Sequence, residues 1–406
     1  MTEPARSVRD DSEVPPRAAT RLESIDILRG AVMIFMALDH TRDYFTNLAF
    51  EPENLEHTWG ALFLVRWVTH FCAPLFFFLA GIGAFFHGLR RTPEELRRFL
   101  WTRGLWLILL EFTVVGFAWT FVAPWGFFGV IWALGASMVL LALVVRLPVR
   151  WLAAGSVAVI LLHDLFDTFR PQAGASFAWL WGLLHVKGQI ALGGHFNFVL
   201  FPLVPWCAVM ALGYAFGQLL ARPDGARWSL RIGLAATLLF VVLRATNFYG
   251  NPPALPGGVT PGDWSPQPTF EKSWILFLDT EKYPASLQFL LMTLGPSLLA
   301  LAVLERRPGR RSLQPLAVFG RVPLFFYLLH LYAIHLLAFA VALFAGQPWE
   351  WLLHGAFWFN ELPQGYGHGL PFVVATWIGV VVLLYLPCRA WANLKRRRQD
   401  AWLSYL

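Results

Sequence analysis

Four ionisable residues crowd one end of an otherwise apolar segment. In RLESIDILRGAVMIFMALDHTRDYF, residues 21–45, Asp39, His40, Arg42 and Asp43 fall within five positions. A histidine beside carboxylates suits general base catalysis. The imidazole can take a proton near neutral pH, and a carboxylate can fix its tautomer. Helical spacing places Arg29, Met33, Met36, His40 and Asp43 on one face, with Asp39 and Arg42 beside it and close enough to pair. His40 lies about 16 Å along the axis from Arg29. The plain alternative is a set of local salt links holding a helix end at an interface. Lipid makes ionisable side chains costly, so four of them together favour a site.

Other polar groups recur at a similar depth. Arg66 and His70 are four apart in RWVTHFCAPLFFFLAG, hence on one helix face. Arg244 and Asn247 close VVLRATNFYG, and Lys282 opens KYPASLQFLLMTLGP. With Arg42 and His195, these five make up the seven expected acceptor-binding residues. Glu111 is mid-segment, and His330 and His335 sit inside FFYLLHLYAIHLLAF. Each has an ordinary reading: a snorkelling arginine, a glutamate paired to a neighbouring arginine, a packed histidine. A metal site is not expected, because His330 and His335 point about 140° apart around a helix.

These groups must be carried by membrane helices. Of the 406 residues, 57% are hydrophobic and only 14% charged, against about 25% charged in a soluble domain. The 20 Trp and 36 Phe fit a lipid-facing surface with interfacial belts. Ten apolar segments are expected to be helices, near 25–45, 64–88, 104–122, 127–145, 150–165, 198–220, 229–246, 285–304, 322–345 and 370–390. The fold class is therefore all-α and polytopic. If the N-terminus is cytosolic and the spans alternate, 25 of the 32 Lys and Arg residues fall on the inner side, as the positive-inside rule demands. Both termini are then cytosolic. Residues 1–20 read as a disordered tail, 21–392 as the membrane domain and 393–406 as a basic tail. The net charge of +7 reflects loop placement, and nucleic acid is not implied. The three cysteines lie in apolar runs and suggest no disulfide framework.

Three outer loops are long, at 166–197, 247–283 and 346–369. They are either a surface cover or a lid over an outward site. The basic inner loops GLRRTPEELRRFLWTRG and LERRPGRRSLQPLAVFGRVP would serve topology and lipid headgroups, or an anionic, phosphate-rich donor. The small-residue runs GIGAF and ALGYAFG suit close helix packing within one chain or in a homo-oligomer.

RLESIDILRG followed by MALDHTRDYF resembles the opening of heparan-α-glucosaminide N-acetyltransferase-like catalytic domains, in the wider transmembrane acyltransferase superfamily. The chain looks closest to a bacterial branch, which implies the inner membrane. The likeness continues through RWVTHFCAPLFFFLAG, LFPLVPWCAVMALGYAFG, VVLRATNFYG, KYPASLQFLLMTLGP and FGRVPLFFYLLHLYAIH. It implies acetyl-CoA entering from the cytosol and an amine or hydroxyl acceptor, an envelope saccharide or glycolipid, on the outer side. The chain departs from the lysosomal enzyme, which has Asn where His40 stands and its catalytic histidine in the next loop. His57, in EHTWG, is the nearest loop candidate. His40 is the expected base, oriented by Asp39 or Asp43, with His57 as its rival. Arg29, Arg321 and His330 are the expected CoA-binding residues. The competing class is a proton-coupled transporter or flippase, to which intramembrane His, Asp and Arg are equally suited.

Overall fold

The computed structural model describes residues 23–122, 126–172, 175–193, 195–252, 262–306, 309–353, 362–398, 400 and 403. The tail expected over 1–20 and the Pro/Gly-rich stretch 253–261 lie outside them.

Every one of the ten expected segments holds a helix. Helix α1 spans Glu23–Phe45. The second segment is split into α2 (Gly60–His70) and α3 (Cys72–Gly88). Thr92 and Glu95 form a reciprocal capping box that starts α4 (Pro93–Leu110), as the TPEE sequence favours. A π-helical turn, Glu111–Val115, joins α4 to α5 (Gly116–Thr120). Strand β1 (Gly126–Phe128) leads to α6 (Val130–Val144) and α7 (Val149–Leu162). Then come α8 (Ala178–His185), β2 (Gly188–Leu192) and β3 (His195–Val199). Long helices resume with α9 (Leu203–Leu220) and α10 (Gly225–Thr246). The short α11 (Phe270–Leu278) precedes α12 (Leu287–Arg306). The chain finishes with α13 (Gln314–Arg321), α14 (Pro323–Ala345) and α15 (Leu370–Arg397).

Among the described residues, eight helical stretches are long and apolar enough to cross a membrane. Helix α1 is long enough but carries the charges discussed above, and α6 is apolar but has 15 residues. The chain is an all-α polytopic membrane protein with one small sheet, ordered β1-β3-β2, in which β3 pairs parallel to β1 and antiparallel to β2. Helix α15 runs on to Arg397, so the basic end expected to begin at 393 starts as helix.

Two glycine crossings set the bundle. A Cβ at Gly81 of α3 would lie 2.0 Å from the Met210 carbonyl oxygen of α9, and one at Gly213 would lie 2.1 Å from that of Phe78. The runs GIGAF and ALGYAFG thus pack on each other inside one chain, as close-packing membrane helices do. Gly30 of α1 and Gly320 of α13 make a second such crossing, each Cβ position 1.8 Å from a backbone oxygen of the other helix. This crossing holds α1 in the centre, where α13, α14, α15, α2, α3 and α12 all touch it.

Candidate functional site

The charged end of α1 opens onto a cavity of about 200 Å³. Met36, Asp39, His40, Arg42 and Asp43 of α1 line it, with Arg66 of α2, Trp119 of α5 and Tyr327 of α14. Its cover comes from four places: Phe50 and Glu51 in the α1–α2 loop, Lys187 and Phe198 around the β2–β3 hairpin, Lys282 and Tyr283 before α12, and Leu362 before α15. The α1–α2 loop is pinned, since Lys272 of α11 donates to the carbonyls of Leu55 and Thr58 at 2.5 and 2.6 Å. Glu271 accepts from the Gly60 amide at 2.7 Å. At least these parts of the long loops therefore cover a cavity.

The charges in the wall form one network. Arg42 Nη2 lies 2.6 Å from Asp43 and 3.1 Å from Asp39. Arg66 donates from Nη1 to Asp39 Oδ2 at 2.6 Å and from Nε to Glu53 Oε1 at 2.7 Å. His70 Nε2 reaches the same Glu53 oxygen at 3.3 Å. Burial opposes ionisation of Glu53, yet the Arg66 guanidinium and the His70 hydrogen bond hold its carboxyl well below the ordinary glutamate range. Two arginines are thus shared among three carboxylates, which offsets the desolvation that buried ions suffer.

His40 stands apart from this network. Among the described residues it hydrogen-bonds no carboxylate; its Nδ1 lies 2.7 Å from Nε2 of His330. The two rings are within 7° of coplanar, and the edges of Trp119 and Tyr327 meet His40 at 4.9 and 6.2 Å between centroids. The expectation that Asp39 or Asp43 orients His40 is corrected: the arginines hold both carboxylates. His330, expected at a CoA-binding mouth, is instead fully buried behind His40 and lines neither cavity.

Other expected residues scatter. Arg244 is fully buried and donates to the carbonyls of Gly262, Leu276, Phe277 and Asp279 at 2.6–3.1 Å. Asn247 closes α10 with positive φ and exchanges hydrogen bonds with Trp264 at 2.8 and 2.9 Å. Both are scaffold for the loop before α12, and neither lines the cavity. His57 packs on Phe50 at 5.4 Å and is also outside the lining. His70 is buried beneath Glu53. His195 begins β3, and its side chain lies outside the described residues. Lys282 is in the wall, buried, with its ammonium 5.0 Å from the Tyr283 ring centroid. His335 accepts no role here; its Nδ1 meets the Ala118 carbonyl at 2.8 Å and its ring stacks on Phe121.

The ordinary reading of Glu111 paired it with a neighbouring arginine. It accepts a hydrogen bond from the Trp132 amide at 2.8 Å, capping the start of α6 from a neighbouring helix, and it also reaches the cavity wall. The π-turn that begins at Glu111 is a distortion that recurs at functional sites. Glu53, Lys187, Trp119 and Tyr327 had no place in the expected site. Tyr327 had a signal, since it lies one turn from His330 and shares its helix face. Glu53 had none, because a loop acid shows no period.

A second cavity, of about 430 Å³, opens toward the other end of the same α1 face. Arg29 and Met33 line it, with Leu79, Leu107, Leu134 and Met138 as an apolar shaft and His87 and Arg103 as further polar groups. Arg29 also donates to the Gly320 carbonyl at 3.1 Å. Arg321 lies outside this lining and faces Asp26 at 3.7 Å. Phe76, Val130 and Tyr327 line both cavities, so the two meet at those three side chains.

No curated protein matches the chain. The family profile described as heparan-alpha-glucosaminide N-acetyltransferase, catalytic, matches residues 21–249. That range is more than half of the chain and carries His40, Asp39, Arg42, Asp43 and Arg66, while Lys282, Tyr327 and His330 lie beyond it. A polar chamber and an apolar cavity meeting at one helix suit a membrane-embedded acetyltransferase, and the chain belongs to the heparan-alpha-glucosaminide N-acetyltransferase catalytic-domain family.

Proposed function

We propose that this protein moves an acetyl group from cytosolic acetyl-CoA to an amine or hydroxyl of a sugar-containing acceptor on the outer face of a bacterial inner membrane. The observation that carries this reading is the pair of cavities that share Phe76, Val130 and Tyr327 in their walls, with His40 on the polar side. The preponderance of Lys and Arg at the α1 start and its neighbouring loops supports a cytosolic placement for the apolar cavity. Arg29, His87 and Arg103 would meet phosphates there, and the apolar shaft would take the pantetheine arm. The chamber on the other side would take the acceptor, whether an envelope saccharide or a glycolipid.

In the reaction the acceptor N–H or O–H attacks the thioester carbonyl carbon. The new C–N or C–O bond forms as the C–S bond breaks, and the acceptor proton passes to His40. The same proton then reaches the departing thiolate, giving CoA and restoring neutral His40. Lys282, for which no described carboxylate lies within ion-pair distance, would face the charge developing on the carbonyl oxygen. Asp39, Asp43, Arg42 and Arg66 would hold acceptor hydroxyls and the chamber's shape. The rival base His57 is not among the lining residues, which supports His40.

The test is release of the CoA thiol from acetyl-CoA by the full chain in proteoliposomes, with glucosamine as acceptor probe. His40→Ala should cost about 10²–10⁴-fold in kcat, while CoA still raises the Tm of that variant. Wild-type turnover by His40→Ala would overturn the assignment. Cavities reaching from both ends would equally serve a proton-coupled carrier, which predicts solute uptake without acetyl-CoA.

A further inference from the structure

His330 occupies a place that an acyl-transfer site does not obviously need filled by a histidine. It has no exposed surface, and both ring nitrogens are engaged. Nδ1 lies 2.8 Å from the Phe326 carbonyl oxygen, one turn back on α14, and Nε2 lies 2.7 Å from Nδ1 of His40. A carbonyl only accepts, so the His330 hydrogen is on Nδ1. A neutral imidazole has one N–H, which leaves Nε2 of His330 as a lone pair. The hydrogen between the two rings therefore belongs to Nδ1 of His40, and Nε2 of His40 is left as a lone pair. Among the described residues that Nε2 has no hydrogen-bond partner, and its ring lines the chamber.

We propose that His330 is a positioning residue that locks His40 in its Nδ1–H tautomer and aims the Nε2 lone pair at the acceptor. This rests on the reading of His40 as the base and names the group that makes it one. The surrounding charges do not supply that control. Asp39 is taken by Arg42 and Arg66, and Asp43 by Arg42. A neutral acceptor also avoids the desolvation that a further buried carboxylate would suffer. When Nε2 of His40 takes the acceptor's proton, Nδ1–H still donates to His330. No hydrogen has to cross between the rings during the step. Trp119 and Tyr327 fix the plane of His40, and Phe326 fixes that of His330, so the pair is rigid before substrate arrives.

Two variants separate control of the tautomer from simple packing. His330→Leu keeps the position filled but removes the acceptor, whereas His330→Gln offers an amide oxygen to the His40 N–H. In the full chain, with acetyl-CoA and glucosamine as probes, Leu should lower kcat by about 10²–10⁴-fold, the range for a general base or its tautomer control. KM should stay within about threefold, and Gln should restore kcat to within about tenfold of wild type. Unchanged kcat in the Leu variant, or equal losses in Leu and Gln with a raised KM, would overturn the proposal. Wild-type turnover by His40→Ala would instead remove the base assignment itself. A measurement free of turnover is ¹⁵N NMR of labelled protein, with His40 assigned by the signals lost in His40→Ala. Protonated Nδ1 and bare Nε2 are expected; the reverse tautomer would overturn the proposal.

Discussion

Two clusters of histidine and aspartate in this protein have nearly the same ingredients and opposite character. One is His40, Asp39 and Asp43 at the end of α1. The other is His163, Asp164, Asp167 and His185, in the turn after α7 and at the end of α8. In the second cluster every strong group is closed by protein. His185 Nε2 binds Asp167 at 2.9 Å, His163 Nε2 binds the Ala285 carbonyl at 3.0 Å, and Asp164 accepts from the Leu287 amide at 2.9 Å. That cluster staples α7 and α8 to the start of α12, and none of its members lines either cavity. In the first cluster the carboxylates are closed by arginines, and the histidine keeps one nitrogen facing space. Residue type does not distinguish a fastener from a site; the unspent lone pair does.

The sharpest way to break this contrast is to remove one histidine from each cluster. His40→Ala should lose about 10²–10⁴-fold in turnover. His185→Ala should keep kcat and lose about 1–3 kcal/mol of stability, because a buried carboxylate is left without its donor. If both variants lose turnover equally at unchanged Tm, the distinction fails. Lys282→Met should lower kcat by about 10²–10³-fold, the loss expected when a donor facing a developing oxyanion is removed; wild-type kcat in that variant would remove Lys282 from the role. Arg244 extends the fastener class. Arg244→Met strands four backbone carbonyls at about 1–3 kcal/mol each, so poor folding yield is expected, with normal specific activity in whatever folds.

Glu53 sharpens the comparison through pH. Its carboxyl ionises more readily in the folded chain, so its stabilising contribution is complete above the ordinary glutamate value of about 4.3. That contribution drains away as pH falls through the lower folded value. Tm should therefore drop steadily below about pH 4.3, and Glu53→Gln should flatten the drop. A variant with the wild-type slope would show that other acids dominate.

Much of this architecture was legible in the chain. Each of the ten apolar runs holds helix because membrane spans need long, nearly charge-free stretches, and those are visible without tertiary context. The α1 stripe was also readable. Arg29, Met33, Met36, His40 and Asp43 share a face, and that face lines both cavities. Contacts between distant segments were not readable. Nothing local says that Glu53 reaches Arg66, or that His330 lies against His40 and His335 against Ala118. Arg244 and Asn247 misled because a polar residue at a helix end looks the same whether it caps a loop or faces a substrate. Glu111 misled because a carboxylate in an apolar helix suggests a cation, and here its partner is the backbone amide of another helix.

In the proposed reaction acetyl groups cross from one cavity to the other past Phe76, Val130 and Tyr327. Sealed vesicles of uniform protein orientation can test it, with ¹⁴C-acetyl-CoA supplied only at the cytosolic face and glucosamine only at the outer face. Labelled N-acetylglucosamine should appear outside the vesicles, and Val130→Trp, which fills the place where the cavities meet, should stop it. Product formed only when both substrates share one face would show that no acetyl group crosses between the cavities.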